Sequence, residues 1–93
     1  MREKMTTEQL CRKLNRMLKT KYLTDVLERL GDRCEEIDRD VDTVTNPATY
    51  YAIGKHAVAY LRWYDEFVPV RRMGGIPQSA WNAYECLGIS FTQ

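Results

Sequence analysis

Six apolar residues in the second quarter of the chain constrain the fold most. Leu23, Leu27, Leu30, Cys34, Ile37 and Val41 follow one another at intervals of 4, 3, 4, 3 and 4 residues. That is the a/d spacing of a helical seam sustained over nearly three heptads. Asp25 with Arg29, and Glu35 with Arg39, add acid-before-base pairs four residues apart, each worth about 0.2–0.5 kcal/mol on a helix. Gly31 lies inside the seam, and a helical glycine costs about 1 kcal/mol relative to alanine, so a bend or close packing is expected there. Such a seam is either intramolecular or the joint of a homodimer.

A second helix is expected to precede it. Thr6 followed by Gln9 has the form of a capping box, in which each side chain satisfies the other's free backbone N–H. Leu10, Leu14, Met17 and Leu18 then recur at helical spacing, with Arg12, Lys13, Arg16 and Lys19 mostly elsewhere on the helix. Projecting the second seam backwards meets Thr20, Arg16, Lys13 and Gln9, all polar. The two stripes are therefore out of phase. A break is predicted at about Thr20–Thr24, with Thr24 as N-cap and the two helices folded as a hairpin.

Asn46-Pro47 reads as a helix start, with asparagine as cap and proline at the first helical position. The third helix is expected to run to about Phe67 and stop before Pro69. Tyr50, Tyr51, Ile53, Ala57, Val58, Tyr60, Leu61, Trp63, Tyr64 and Phe67 cover most of its circumference, as in a central helix or an interface helix. Arg71-Arg72-Met73-Gly74-Gly75 reads as a loop that places two guanidiniums beside glycines, a combination suited to phosphate or carboxylate. Pro77 and Ser79 open a short last helix. Gly88 fits its C′ position, and Ile89 would pack back on Tyr84 in a Schellman ending. The fold class expected is all-α, a compact bundle of about four helices: a helix hairpin, a long aromatic-rich central helix and a short C-terminal helix. Leu14, Leu18, Leu27, Leu30, Ile37, Leu61 and Trp81 form the expected core.

At 93 residues the chain is read as one small helical domain spanning 1–93, with 1–6 and 89–93 as loose ends. A domain of this size buries roughly 60–65% of the surface its unfolded chain exposes, so its stability is marginal. Cys11, Cys34 and Cys86 are odd in number and scattered. That argues against a disulfide framework and for a reducing compartment. No apolar leader follows the N-terminal Met-Arg-Glu-Lys-Met, and no apolar run approaches the ~18 residues a membrane span requires. The expected location is the cytoplasm, without membrane attachment.

Charge is nearly balanced at +1 but unevenly placed. Residues 1–22 carry seven Lys/Arg and two Asp/Glu, whereas residues 23–42 carry three and eight. The balance argues against a protein built mainly to grip nucleic acid. The order suggests two mutually attracting helices, or opposite-sign faces offered to a partner.

Catalytic motifs are not evident. His56 is the only histidine, and a cysteine–histidine dyad would need spatial contact that spacing does not specify. Cys11, Cys34, His56 and Cys86 make up a three-cysteine, one-histidine set, but the close ligand pairs of structural zinc sites are missing. No metal, cofactor or catalytic residue is assigned; a small zinc or thiol enzyme is the last-placed reading. The aromatic residues of the third helix are read as core or protein interface rather than as a base-stacking platform.

Other segments are similar to a known family. Ile76-Pro77-Gln78-Ser79-Ala80-Trp81 resembles the C-terminal Ile-Pro-x-Ser-x-Trp run of the Hha/YmoA family of small helical nucleoid-protein modulators. Leu10-Cys11-Arg12, Asp25-Val26-Leu27-Glu28-Arg29, and Tyr51, His56, Ala59 and Leu61 are similar to family segments in the same order. The resemblance implies a helical fold and binding to the nucleoid protein H-NS. The chain departs from the family beside its histidine, with Lys55 where the family has Asp and Ala57 where it has Arg.

The function expected is that of a non-enzymatic protein–protein interaction module. It would bind and modulate or inhibit a larger complex, as small inhibitors from phages and mobile elements do to host nucleases, polymerases or defence complexes. The alternative is an Hha-type transcription or nucleoid modulator that meets nucleic acid only indirectly, through a DNA-binding partner or through phosphate contacts of Arg12, Lys13, Arg16 and Lys19. The expected partner-contact residues are Arg71, Arg72, Tyr60, Trp63 and Tyr64.

Overall fold

A computed structural model of the chain describes residues 5–40, 47–73 and 76–89. It is not an all-α bundle. Helices α1 (Thr7–Leu18) and α2 (Leu23–Leu30) are followed by strands β1 (Cys34–Asp40), β2 (Ala48–Ile53), β3 (His56–Leu61) and β4 (Glu66–Pro69), then by helix α3 (Gln78–Cys86). Short 3₁₀ turns at Gly31–Arg33 and Val70–Arg72 lead into β1 and out of β4. The strands form an antiparallel meander in the order β1-β2-β3-β4. The protein is a mixed α/β domain with α1 and α2 on one face of the sheet and α3 on the other.

The expected central helix is the greater part of this sheet. Ile53-Gly54-Lys55-His56 closes β2 onto β3 by a two-residue turn, with Gly54 at φ +62°. Glycine with positive φ at the first central position is the type II′ pattern, whose twist matches that of paired strands. The register then sets Ala52 opposite Ala57, Tyr51 opposite Val58 and Tyr50 opposite Ala59. Every residue of β2 is buried. Tyr51, Ile53, Val58, Tyr60 and Phe67 meet the α1–α2 face, whereas Ala48, Tyr50, Ala52, Ala57 and Ala59 meet the α3 face. A strand covered on both sides is apolar at consecutive positions and loses its two-residue alternation. Apolar coverage of a whole helical circumference and double-sided burial of a strand thus leave the same trace.

The six-residue seam is likewise divided. α2 ends at Leu30, and Gly31 takes φ +58° and ψ −134°, a conformation that leaves the helix. Leu23, Leu27, Leu30 and Cys34 pack with the α1–α2 cluster, while Ile37, three residues along β1, packs against the α3 cluster. Residues three apart on a strand point to opposite faces. The described part of the seam is therefore not one continuous helix, and Val41 lies outside the described residues. Asn46 lies outside them too; Pro47 is buried and leads into β2 rather than a helix. The N-cap of α2 is Tyr22, not Thr24.

Locally encoded features are present as expected. Thr6 caps α1 in a capping box with Gln9. Leu10, Cys11, Leu14 and Leu18 form its buried stripe. α3 ends in a Schellman motif: Gly88 N–H donates to Glu85 O (3.0 Å) and Ile89 N–H to Tyr84 O (3.0 Å), with Ile89 buried against Tyr84. Of the expected core, Leu14, Leu18 and Leu30 are buried, while Leu27, Ile37, Leu61 and Trp81 are only partly so.

Two polar side chains tie helices to the sheet. Tyr84 is fully buried, and the one proton of its hydroxyl is shared between Tyr51 O (2.9 Å) and, as a longer arm, Val58 O (3.4 Å), spanning β2 and β3. The small side chains Ala52, Ala57 and Ala59 let the phenol reach the strand backbone. On the opposite face Phe67 makes tilted ring contacts with Tyr60 (5.3 Å) and Tyr51 (6.3 Å), each worth about 0.5–1.5 kcal/mol beyond burial.

Candidate interaction surface

Two turns meet at one end of the domain. The α1–α2 turn spans Lys19 to Tyr22, where Thr20 and Lys21 donate their backbone N–H groups to Met17 O (3.1 and 2.9 Å). The β3–β4 turn spans Arg62 to Asp65. Tyr64 N–H donates to Leu61 O (3.2 Å), and Asp65 takes φ +52°, a left-handed conformation that aspartate tolerates better than most residues. The Tyr60 hydroxyl donates to Asp65 Oδ1, joining the turn to β3. Burial, together with the accepting Asp65 carboxylate, pushes the Tyr60 phenol up to about 12.

Between these turns lies an open cleft of about 740 Å³, lined by Leu18–Thr24, Tyr60 and Asp65. Tyr22, 81% exposed, lines it, and Trp63 (62%) and Tyr64 (66%) stand beside lining residue Asp65 on the β3–β4 turn, outside the lining itself. Lys19 and Lys21 add positive charge to one wall. From Lys19 the exposed cations Arg16, Lys13 and Arg12 continue along α1, at the spacings of three and four that share a helix face.

The expected contact residues do not form one patch. Trp63 and Tyr64 stand on the β3–β4 turn, exposed as an interface requires. Tyr60 is buried and contributes to the cleft lining. Arg71 and Arg72 sit beyond β4 in the 3₁₀ turn, separated from Trp63 by a strand of four residues, or roughly 13 Å at 3.3 Å per residue. Both are exposed, and Arg72 is ion-paired with Glu8. Gly74 and Gly75 lie outside the described residues. Tyr22, Lys21 and Asp65 complete the cleft and were not singled out by sequence reasoning. The available signal was the Lys21-Tyr22 pair inside the phase break.

The cysteines and His56 are spread over the domain. Cys11 and Cys34 belong to the α1–α2 side of the core, and Cys86 is exposed on α3, on the other side of the sheet. Burial pushes the Cys11 thiol up to about 12 and the Cys34 thiol to about 11. His56 Nδ1 lies 3.0 Å from Thr7 Oγ1, tying β3 to the first turn of α1. Among the described residues, no three His, Cys, Asp or Glu side chains converge as a metal site. No helix among them is long and apolar enough to cross a membrane.

Of the four segments that resemble the Hha/YmoA family, one falls on α1, one on α2, one across β2 and β3, and the last runs into α3. The domain as a whole is a three-layer α/β unit with an aromatic-rimmed, cation-flanked cleft. Compared with protein-family models, curated proteins and solved structures, the chain matches none.

Proposed function

We propose that this protein is a non-enzymatic interaction module of the cytoplasm, which binds and modulates a larger protein complex through the cleft between the α1–α2 and β3–β4 turns. The observation that carries this reading is the exposure of Tyr22, Trp63 and Tyr64 on the two turns that bound one cleft. Large amphipathic side chains exposed near one another mark interaction surfaces and contribute most when a partner desolvates them. The turns are anchored by backbone hydrogen bonds and the Tyr60–Asp65 contact, so little ordering cost remains on binding. The cytoplasmic assignment rests on the odd, scattered, free cysteines.

A tethered wild-type chain should capture one stoichiometric protein from a lysate of its native host at moderate salt. Trp63→Ala/Tyr64→Ala should lose at least about 2 kcal/mol of that binding, roughly thirtyfold in affinity. Capture undiminished by the double substitution would rule out this surface, and no partner at any salt would rule out the function.

A further inference from the structure

The partner's chemistry can be inferred from the charge around the cleft; this rests on the reading above. Arg12, Lys13, Arg16 and Lys19 are exposed along one side of α1, covering about 10 Å of helix axis at 1.5 Å per residue. Lys19 and Lys21 bring that column into the cleft wall. The one acidic residue of α1, Glu8, faces Arg72 and lies at the far end of the helix. Glu66, exposed on β4, lines a shallow pocket with Glu8 and Arg12, so carboxylates neighbour the Arg12 end of the column; Glu28, Asp32, Glu35 and Glu36 are exposed farther away, on α2, the 3₁₀ turn and β1. β1 is the sheet edge opposite β4, the strand along which α1 packs.

The cation column alone would suit any polyanion. The cleft restricts the choice, because Asp65 lines it beside the exposed aromatic residues and Asp25 is exposed on the first turn of α2. A nucleic-acid strand stacked on Trp63 or Tyr64 would carry its phosphates past these carboxylates. A polypeptide can meet both signs, with carboxylates toward α1 and apolar or donor groups toward the cleft. Its side chains on one face of an extended segment recur every ~6.6 Å, comparable to the ~5–6 Å between neighbouring α1 cations.

We infer that the cleft and the α1 column together dock an acidic polypeptide segment of the partner. One apolar side chain of the segment enters between Tyr22 and the Trp63–Tyr64 turn, and its flanking carboxylates lie along Lys19 and Arg16. The charge pairs set association rate and specificity, and the aromatic contacts set residence time.

The test is selection of a random-peptide display library on the tethered full chain, followed by titration of the enriched peptides against variants. The expected result is enrichment of peptides with an apolar residue flanked by Asp or Glu. Their affinity should fall about tenfold or more with rising salt or with Arg16→Glu/Lys19→Glu, and also with Trp63→Ala. Enriched peptides that lack acidic residues, ignore the charge reversal and yet require Trp63 would overturn this inference and leave the interaction module standing. Enrichment independent of Trp63, or tighter Trp63-dependent binding of single-stranded oligothymidylate than of any peptide, would overturn both. All the substituted positions are exposed, and circular dichroism checks that the variants remain folded.

Discussion

The carboxamide of Asn15 satisfies both backbone groups of Phe67: Nδ2 donates to Phe67 O (3.0 Å), and Phe67 N–H donates to Oδ1 (2.6 Å). A side chain on α1 thereby takes the place that a fifth strand would occupy at the β4 edge. Unpaired edges invite strand addition, and this contact closes the edge at a buried residue. Asn15→Ala should cost about 1–3 kcal/mol in urea unfolding, because two partly buried backbone groups lose their partners. Asn15→Asp retains the acceptor but turns a carboxylate oxygen toward Phe67 O, so it should also destabilise. Light scattering should show more self-association in both variants; equal stability and unchanged scattering would mean that water replaces the amide at no cost.

Gly31 gives a test with opposite signs for the two folds. Inside a continuous helix, Gly31→Ala would stabilise by up to about 1 kcal/mol. At φ +58° and ψ −134°, with no atom within 4 Å of an added Cβ, the substitution should instead cost about 1–2 kcal/mol, all of it conformational. Chemical denaturation reads the sign directly.

Tyr84→Phe removes the hydroxyl that bridges β2 and β3 and leaves the ring in place. The expected loss is about 1–1.5 kcal/mol. Tyr84→Ala, which also empties a fully buried site, should cost about 3–5 kcal/mol. Similar losses for the two variants would show that the hydrogen bonds, rather than ring packing, hold α3 to the sheet.

Alkali should unfold the protein through groups whose folded pKa values are raised. Cys11 goes from 9.0 to about 12, chiefly by burial, and Tyr60 from 10.0 to about 12 by burial and by Asp65. The unfolded chain releases these protons first, so their contribution is intact below pH 9 and declines as pH rises toward 12. Cys11→Ala and Tyr60→Phe should each flatten the fall in stability over that window. A slope identical to wild type in both would assign alkaline unfolding to other groups. In the folded state iodoacetamide should modify exposed Cys86 first and buried Cys11 last.

Features written in neighbouring residues were legible before the structure. The Thr6–Gln9 capping box, the α1 stripe and the Schellman close at Gly88–Ile89 depend on residues within one or two helical turns. Of the candidate site, Trp63 and Tyr64 were legible as large aromatic side chains near the end of a segment. Their grouping with Tyr22 was not, because about forty residues separate the two turns. Arg71 and Arg72 illustrate the converse: they are near Trp63 in sequence, yet β4 carries them to its other end.

By itself, the sequence determined the amphipathic first helix, its cap, the short last helix and its stop, and the division of charge into a basic and an acidic segment. These rest on local hydrogen bonds and side-chain spacing. Tertiary structure decided that Cys34–Asp40, Ala48–Ile53, His56–Leu61 and Glu66–Pro69 become strands. A strand's hydrogen bonds are made to another segment, and burial on both faces removes the alternation that would have announced it. The same pairing placed the basic α1 along β4 and the acidic β1 at the opposite edge, turning a charge pattern along the chain into a charge pattern in space.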